Sequence, residues 1–271
     1  MNYELGIIGA GNMAEAIARG VTARGVLRPE QIIAADVAPA RRELFQNQLG
    51  IKAVDDNREV ARQSRTLLLS IKPQQMQAAL AGIGEVLAPD ALVISIMAGI
   101  GSAAIERGLG TGRPWRVIRT MPNTPMLVGE GMVAIAGGSH ATSADIAAAR
   151  RLFESAAKVV EVPEEKMDAV TAVSGSGPAY FFFLIEHMIR AATEMGIGAE
   201  QARTLAIQTA VGAAKMLSTS SDSPQDLRRT VTSPGGTTQA AIEHMERHGM
   251  QQTILDALKA AERRGKELGV K

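Results

Sequence analysis

The sequence has no cysteine, few aromatic residues and almost no net charge. Of its 271 residues none is cysteine, 3% are aromatic, and the formal net charge is +1 at pH 7. The lack of cysteine excludes disulfides, thiolate catalysis and cysteine-ligated metals. The balanced charge gives no electrostatic reason to expect nucleic acid or an acidic membrane surface as a partner. With 46% hydrophobic and 21% charged residues, the composition is that of a globular soluble protein rather than a disordered one.

Long apolar runs and metal-binding patterns are missing as well. No stretch of about 18 uninterrupted apolar residues is present, so no membrane span is expected. Residues 1–5 carry no basic region and lead directly into a strand pattern, unlike a signal peptide, and we expect a cytoplasmic protein. His244 and His248 have the i,i+4 spacing of one helix face. They lack the glutamate of an H-E-x-x-H motif, so no metal site is expected there.

The first part of the chain alternates short apolar runs with helical patterns. Continuous β-branched runs interleaved with helices are typical of a parallel sheet covered on both faces. This pattern predicts an α/β domain over residues 1–162. Strands are expected at residues 5–8, 31–35, 66–71, 92–96, 116–119, 132–136 and 159–162, and helices at 14–24, 39–48, 74–87 and 102–109.

After about Pro163 a 3.6-residue period replaces the alternation. The pattern predicts an all-helical domain over residues 163–271. Several of its helices, such as 202–217, are apolar nearly all round, which is more than a small bundle can bury alone. We therefore expect at least an obligate homodimer, with this domain as the dimerisation domain. Helices are expected at residues 164–173, 177–195, 199–220, 224–231, 237–248 and 251–268.

A glycine-rich turn follows the first predicted strand. Gly9-Ala10-Gly11-Asn12-Met13-Ala14 fits the G-x-G-x-x-A pattern of dinucleotide-binding proteins. The first glycine permits the tight turn, the second lets the backbone approach a pyrophosphate, and the small third residue lets the helix pack on the strand. The diphosphate would lie on the amide groups at the start of the following helix. The first domain is therefore predicted to be a Rossmann-type dinucleotide-binding domain.

The end of the second predicted strand bears on the choice of dinucleotide. Asp36 stands where an acid normally bonds the adenosine ribose 2′-hydroxyl and selects NAD. Arg41 and Arg42 follow closely. They could instead hold a 2′-phosphate, or they could lie on a solvated helix face. NAD and NADP both remain open on these residues.

Further segments end strands on the same side of the predicted sheet. Ligands of open α/β sheets lie beyond the carboxyl ends of the strands, so Ser70-Ile71-Lys72-Pro73 and Met97-Ala98-Gly99 are expected to line the nicotinamide half of the site. Lys72 precedes a proline and is held extended, although a purely structural lysine is the alternative. Asn123, in Met121-Pro122-Asn123-Thr124-Pro125, is expected to face the cofactor or the floor of the active site.

Two unusual runs lie in the helical half. Ser233-Pro234-Gly235-Gly236-Thr237-Thr238 leads into a helix and exposes backbone N–H groups beside the positive end of the helix dipole. This turn suits a carboxylate, with the Thr238 hydroxyl in the first helical turn, and a plain N-cap is the alternative. Ser174-Gly175-Ser176-Gly177-Pro178-Ala179-Tyr180 is expected to be the close-packed start of a long apolar helix, where it shapes the pocket.

Six segments occur in order and carry a family resemblance. They are Gly9-x-Gly11-x-Met13-Ala14, Ser70-Ile71-Lys72-Pro73, Met121-Pro122-Asn123-Thr124-Pro125, Asp168-Ala169-Val170-Thr171, the run from Ser174 to Tyr180, and Ser233-Pro234-Gly235-Gly236-Thr237-Thr238. Together they resemble pyrroline-5-carboxylate reductase, the enzyme of the last step of proline biosynthesis. The resemblance runs from residue 5 to about residue 268.

The resemblance implies the reaction, the assembly and the site residues. The reaction would be reduction of the small-molecule substrate 1-pyrroline-5-carboxylate, a cyclic imine, to L-proline by NADPH or NADH. The assembly would be a homodimer, often built into larger rings such as decamers. The implied substrate contacts are Glu164, Ser233, Gly235, Gly236, Thr237 and Thr238. The implied cofactor contacts are Ile8, Gly9, Ala10, Gly11, Asn12, Met13, Ala35, Asp36, Asn57, Ser70, Ile71, Lys72, Pro73, Met97, Ala98, Gly99, Asn123 and Thr230.

The chemistry implied by the resemblance needs few catalytic groups. A protonated imine is a good hydride acceptor, so orientation is expected to supply most of the catalysis. Thr238 would bond the ring nitrogen and is the one side chain expected to have a chemical role. Many members place a small polar residue near Ala35 and Asp36 to receive a 2′-phosphate, so Asp36 departs from the usual pattern for NADPH.

Two alternative functions fit the sequence less well. A β-hydroxyacid dehydrogenase-like oxidoreductase would need a lysine on a helix of the second domain. Lys166 and Lys215 are the nearest candidates, and neither has a suitable glycine-rich setting. A non-catalytic NAD(P)-binding regulator would be expected to have an eroded substrate turn, whereas residues 233–238 are intact.

Overall fold

The computed structural model describes residues 2–269, and its contacts divide the chain into two compact units. One unit comprises residues up to Ser176 together with residues from Ala260 onward, and the other comprises Gly177–Lys259. We call them the sheet unit and the helical unit. The boundary between the two units follows Ser176, whereas the sequence predicts a boundary between residues 162 and 163. The predicted boundary separates the cofactor-binding domain from the dimerisation domain, and it stays a prediction.

A mixed sheet of eight strands forms the centre of the sheet unit, in the order β3-β2-β1-β4-β5-β6-β7-β8. The first six strands in sequence pair in parallel, β7 pairs antiparallel with β6, and β8 pairs in parallel with β7. The expected α/β fold of Rossmann type is confirmed. The strands are β1 (Tyr3–Ile8), β2 (Ile32–Ala35), β3 (Lys52–Val54), β4 (Ser64–Leu69), β5 (Leu92–Ser95), β6 (Arg116–Pro122), β7 (Gly131–Gly137) and β8 (Ala157–Glu161).

The core of the sheet unit lies on both faces of the sheet. Successive strand residues such as Ile7 and Ile8 belong to opposite apolar clusters, and both are fully buried. This explains why the strands are continuous apolar runs rather than alternating ones. The covering helices are α1 (Asn12–Ala23), α2 (Pro39–Leu49), α3 (Asn57–Gln63), α4 (Met76–Leu80), α5 (Ile83–Val86), α6 (Ser102–Leu109), α7 (Ser143–Phe153) and α8 (Met167–Val170).

Several elements of the sheet unit differ from the expectation. Strand β3 and helices α3 and α7 were not predicted. The helix expected over 74–87 is a 3₁₀ turn followed by α4 and α5, because Gly82 takes a left-handed conformation at φ +69° between them. The helix expected over 164–173 is instead a 3₁₀ turn (Glu164–Lys166), then α8, then a π-helix (Thr171–Gly175).

The helical unit is formed by α9 (Gly177–Glu194), α10 (Ala199–Thr219), α11 (Pro224–Thr230), α12 (Thr237–Arg247) and the first part of α13 (Met250–Gly269). Within it α9 packs along α10. Few of its side chains are buried, whereas many large apolar ones are exposed. Across the described part of the chain, the model contains no helix that is both long and apolar enough to cross a membrane.

Candidate functional site

The glycine turn joins β1 to α1 with the geometry that the pattern predicts. Gly9 has φ +91°, and a Cβ there would lie 2.8 Å from the Ile71 side chain and 2.9 Å from the Ser70 carbonyl carbon. Gly11 has no neighbouring atom within 4 Å of a Cβ built on it. Gly9 is therefore required by the turn, whereas Gly11 leaves open space above the first amides of α1.

A cavity of about 400 Å³ lies beside this turn. It opens at the carboxyl ends of β1, β2 and β4, where doubly wound sheets bind ligands. The open space at Gly11, the helix N-terminus at Asn12 and the carboxylate at Asp36 fit a dinucleotide. Ala10, Asn12 and Met13 belong to the same turn and to the first residues of α1. Of the predicted cofactor residues, the cavity is lined by Ile8, Gly9, Gly11, Ala35, Asp36, Asn57, Ser70, Ile71 and Lys72.

Some lining residues were not among the predicted contacts. Val37, Gln75, Ala78 and Ala79 also border the cavity. Apart from Val37, they lie in the segment that follows Pro73, which begins the 3₁₀ turn after β4. The signal that could have identified them is the proline after Lys72, since proline often opens a helical turn that continues along the same edge.

Asp36 and Arg41 hold the glycine turn from two sides. The two carboxylate oxygens of Asp36 accept hydrogen bonds from the backbone N–H groups of Ala10 at 2.7 Å and Ala38 at 2.8 Å. Arg41 donates from Nε to the Ala10 carbonyl at 2.5 Å and from its Nη2 to Glu15 at 2.9 Å. Both polar groups of Ala10 are thus bonded to side chains of the β2–α2 segment, which fixes the turn.

Glu15 is kept ionised by the arginines around it. Burial by itself raises the pKa of Glu15, but hydrogen bonds and charges from Arg19 and Arg41 together outweigh it, so the pKa lies below its ordinary value. The carboxylate therefore stays available to orient Arg41 toward the turn.

Arg42 bonds the backbone of two residues that line the cavity. Its Nη1 donates to the carbonyl of Asp36 at 2.8 Å and to the carbonyl of Val37 at 3.1 Å. A guanidinium has five N–H donors. Among residues 2–269, no hydrogen bond from Nε or Nη2 of Arg42 is present. Sequence reasoning cannot distinguish Arg41 from Arg42, whereas in the structure Arg41 bonds Ala10 and Glu15 and Arg42 bonds Asp36 and Val37.

The segment 97–99 follows β5 and does not border the cavity just described. Met97 is buried and donates its N–H to the Ser95 hydroxyl at 3.2 Å. Gly99 has φ +76°, and a Cβ there would lie 3.1 Å from the Gly265 carbonyl oxygen of α13. The last turns of α13 therefore pack directly on this segment. Its contact with the cofactor stays a prediction, as does that of Ala98.

Asn123 uses its side-chain amide within the sheet unit. Its Nδ2 donates to the Ser174 carbonyl at 3.1 Å, and its Oδ1 accepts from the Met132 N–H at 2.9 Å. The side chain thus ties β7 to the π-helix. The run from Ser174 to Tyr180 divides accordingly, since Ser174 and Gly175 end the π-helix and Gly177 begins α9. A cofactor contact of Asn123 stays a prediction.

The predicted substrate turn belongs to the helical unit. Gly235 has φ +71° and donates its N–H to the Gln239 side chain at 2.6 Å. Gly236 is the N-cap of α12, and no side chain caps the helix there. The first amides of α12 and the half-buried hydroxyl of Thr238 have no hydrogen-bond partner among the described residues. Such a group of donors suits an anion. The sequence does not identify Gln239 as part of this turn, because only its hydrogen bond with the Gly235 N–H shows that it belongs there.

The remaining predicted residues have partners of their own. Both carboxylate oxygens of Glu164 lie 2.6 Å from Ser102, one from its N–H and one from its hydroxyl. Thr230 ends α11 and donates its hydroxyl to the Leu227 carbonyl at 2.7 Å. Within residues 2–269, no group of three or more His, Asp or Glu side chains is arranged to hold a metal ion.

The fold and the cleft define a class of protein: a Rossmann-type dinucleotide-binding protein with a helical second part. Comparison with known proteins gives the family. Residues 164–268 match the model for pyrroline-5-carboxylate reductase dimerisation, and residues 4–99 match the model described as NADP oxidoreductase, coenzyme F420-dependent. The chain is 42% identical over 272 residues to a pyrroline-5-carboxylate reductase of Synechocystis, covering 100% of both proteins. The chain belongs to the pyrroline-5-carboxylate reductase family.

Solved structures agree with this assignment. A pyrroline-5-carboxylate reductase of Coxiella burnetii is 33% identical, with a TM-score of 0.90 and coverage of 99% of both chains. A Plasmodium falciparum pyrroline carboxylate reductase with NADP bound is 29% identical, with a TM-score of 0.88 and coverage of 99% of this chain and 98% of that one. The resemblance stated from the sequence motifs is confirmed over the whole chain.

Proposed function

We propose that this chain reduces 1-pyrroline-5-carboxylate to L-proline with NADPH or NADH. The observation that carries the proposal is the turn at residues 233–238, whose unpartnered donors suit the substrate carboxylate, in a chain of this family. The cavity beside Gly9 and Gly11 supports the nucleotide half of the same reaction. The β-hydroxyacid dehydrogenase alternative has no such support. Lys166 ends a 3₁₀ turn and Lys215 lies within α10, and neither is in a glycine-rich turn that could bind a ligand.

The proposed roles follow from the donors and acceptors of each residue. A bound NAD(P)H supplies the hydride that the imine carbon accepts. The first amides of α1 hold the diphosphate, and the amides at the start of α12 hold the substrate carboxylate. The substrate is bound as the protonated imine, so the transferred hydride completes the amine without a further proton. The Thr238 hydroxyl accepts a hydrogen bond from the ring N–H and can donate one to the lone pair that forms on the nitrogen as the C=N bond becomes single. Orientation of the two ligands supplies the larger part of the rate.

Use of both cofactors is proposed from the surroundings of Asp36. Its carboxylate is engaged by two backbone N–H groups of the protein, so it is less free to reject a 2′-phosphate. Arg42, which bonds the Asp36 and Val37 carbonyls through Nη1 alone, has donors left for that phosphate. Arg42→Ala is expected to lower kcat/KM for NADPH about tenfold and to leave NADH nearly unchanged. An equal loss with both cofactors would contradict this role.

The assembly and location are proposed on the family. We propose a homodimer, built into decamers, with the helical unit at the subunit contact. The exposed apolar side chains of that unit support self-association. Cytoplasmic location is proposed likewise, and cell fractionation would test it.

One assay tests the activity against its alternatives. The purified protein is mixed with NADPH or NADH and with pyrroline-5-carboxylate, with a pair of small hydroxy- and keto-acids, or with neither. We expect cofactor oxidation with the cyclic imine alone, and L-proline as the product by amino-acid analysis. Turnover of the hydroxy-acid pair would favour the dehydrogenase. Cofactor binding without turnover of any substrate would favour the regulator.

A further inference from the structure

A buried arginine of β6, Arg119, lies between the carboxylates of Glu164 and Asp168. Arg119 is 7% exposed. Its Nη2 donates to Oδ1 of Asp168 at 3.2 Å, and its Nη1 lies 3.9 Å from Oε1 of Glu164. A buried ion pair is weak evidence for stability, because desolvation of the charges offsets their attraction. The cluster therefore calls for a role beyond holding the fold.

Glu164 carries the contact from Arg119 to the start of α6. Its two oxygens accept from the N–H and the hydroxyl of Ser102, the first residue of α6. A Cβ built on the preceding Gly101 would lie 3.5 Å from Oε1 of Glu164. One end of the segment from Met97 to Ser102 is thus held by this carboxylate.

Asp168 links Arg119 to α13, the helix that packs on Gly99 within the same segment. A Cβ built on Gly265 would lie 3.4 Å from both Cβ and Oδ1 of Asp168, so α13 packs closely on this side chain. The same turns of α13 pack on Gly99, where a built Cβ would lie 3.1 Å from the Gly265 carbonyl oxygen and 3.2 Å from the Gly269 nitrogen. Gly99 therefore follows β5 and packs against a helix that also contacts Asp168.

We propose that Arg119 is a positioning residue for the nicotinamide end of the cofactor site, acting through Glu164 and Asp168. Its single guanidinium pairs with two carboxylates, one that bonds Ser102 and one that packs against the helix covering Gly99. Without it the two carboxylates lose their shared counter-charge and repel each other. The inference rests on the proposed function, since the contact of residues 97–99 with the cofactor is part of that proposal.

The same strand supplies a matched control. Arg116 lies at the other end of β6 and pairs with Asp145 at 2.9 Å, and the Asp145 side chain is 5% exposed. Arg116 also donates to the Asp90 carbonyl. Asp145 caps α7 through Thr142, and among residues 2–269 no hydrogen bond of Arg116 or Asp145 reaches Glu164, Asp168 or the segment 97–102. Arg116→Met therefore removes a comparable arginine–aspartate pair without touching the proposed device.

The experiment compares Arg119→Met, Arg119→Lys and Arg116→Met with the wild type. The dissociation constant for NADPH is measured by fluorescence titration without substrate, together with kcat, both KM values and Tm. We expect Arg119→Met to weaken NADPH binding about tenfold in this titration, which contains no imine and so does not report on substrate contacts of Glu164. Arg119→Lys, which keeps the charge, should recover part of the loss. Arg116→Met should leave NADPH binding unchanged even if its Tm falls.

Each other outcome also decides the proposal. NADPH binding by Arg119→Met within about twofold of wild type, or an equal loss in Arg116→Met, overturns it. If Arg119→Met does not fold, Ser102→Ala tests the Glu164 arm alone, and we expect about threefold weaker NADPH binding, whereas unchanged binding overturns the proposal. If the wild type binds NADPH but does not reduce the imine, the proposed reaction is wrong. The titration then still tests the role of Arg119 in NADPH binding. A wild type that binds neither cofactor overturns both.

Discussion

The two units of the chain bury their apolar side chains to very different degrees. In the sheet unit the large apolar side chains of the central strands, such as Ile7 and Leu68, are 0% exposed. In the helical unit Phe181, Phe182 and Phe183 are 68%, 69% and 64% exposed. Three consecutive aromatic residues on one helix cannot share a face, so α9 is apolar over most of its circumference. Exposed patches of this kind mark interaction surfaces.

A single chain therefore buries the apolar side chains of the sheet unit but leaves many of those of the helical unit exposed. The glycine turn, the cavity and the Arg119 cluster are all built from residues of the sheet unit, and their contacts are satisfied there. The helical unit carries the proposed substrate turn, and many of its large apolar side chains are exposed. A second copy is the occupant we propose, since residues 164–268 match a dimerisation model.

We expect the largest effect, a loss of self-association, from charged residues placed on the exposed apolar surface of the helical unit. Replacing Phe181 and Phe182 together with glutamate should abolish self-association at micromolar concentration. Full burial of each phenylalanine contributes roughly 1.5–3 kcal/mol, and a buried unpaired carboxylate adds a large desolvation cost. Light scattering measures the mass. Val128→Glu, at an exposed apolar position of the sheet unit, is the control and should leave the mass unchanged; equal masses for both variants would contradict the account.

A smaller effect compares one leucine from each unit. Leu68→Ala empties a fully buried position and should lower the free energy of unfolding by about 2–5 kcal/mol. Leu205 is 55% exposed within its own chain. Leu205→Ala should therefore act through assembly, so its thermal midpoint should depend on protein concentration more steeply than that of the wild type. Thermal denaturation over a range of concentrations checks this. If the loss at Leu205 were independent of concentration, this side chain would not lie at a subunit contact.

The smallest effect separates the chemistry of the two units. Thr238→Ala should lower kcat/KM for the imine about 10²-fold, because the hydrogen bond to the ring nitrogen is lost, yet turnover should persist. NADPH binding should change little, because most of the proposed cofactor contacts lie in the sheet unit. Thr219→Ala is the matched control, since its hydroxyl donates to the Lys215 carbonyl within α10. Unchanged kcat/KM in Thr238→Ala would show that its hydroxyl has no chemical role.

The sequence predicted local features better than distant contacts. The turn at Gly9 and the apolar strands were predictable, because a positive φ and burial on both faces each demand particular residue types. The bond from Asp36 to Ala10 joins residues 26 apart, the bond from Asn123 to Ser174 residues 51 apart, and the bond from Glu164 to Ser102 residues 62 apart. Pairings at such distances depend on the topology of the sheet and leave no local pattern.

Irregular helices were the other features that the sequence did not reveal. The break at Gly82 depends on a left-handed glycine, which a helical period tolerates without signal. The π-helix at Thr171–Gly175 depends on one extra residue in a turn, with a bond from the Ser176 N–H to the Thr171 carbonyl. Its residues also suit an α-helix, so the period alone could not identify it.

The mass of the purified wild-type protein in solution tests the central claim most directly. Sedimentation or native mass spectrometry is run from micromolar to nanomolar concentration, with pyrroline-5-carboxylate reduction measured on the same samples. We expect a species of at least two chains at every concentration where the enzyme is active, and we expect activity to be lost as the chains dissociate. A stable single chain that reduces the imine at the full rate would contradict this expectation.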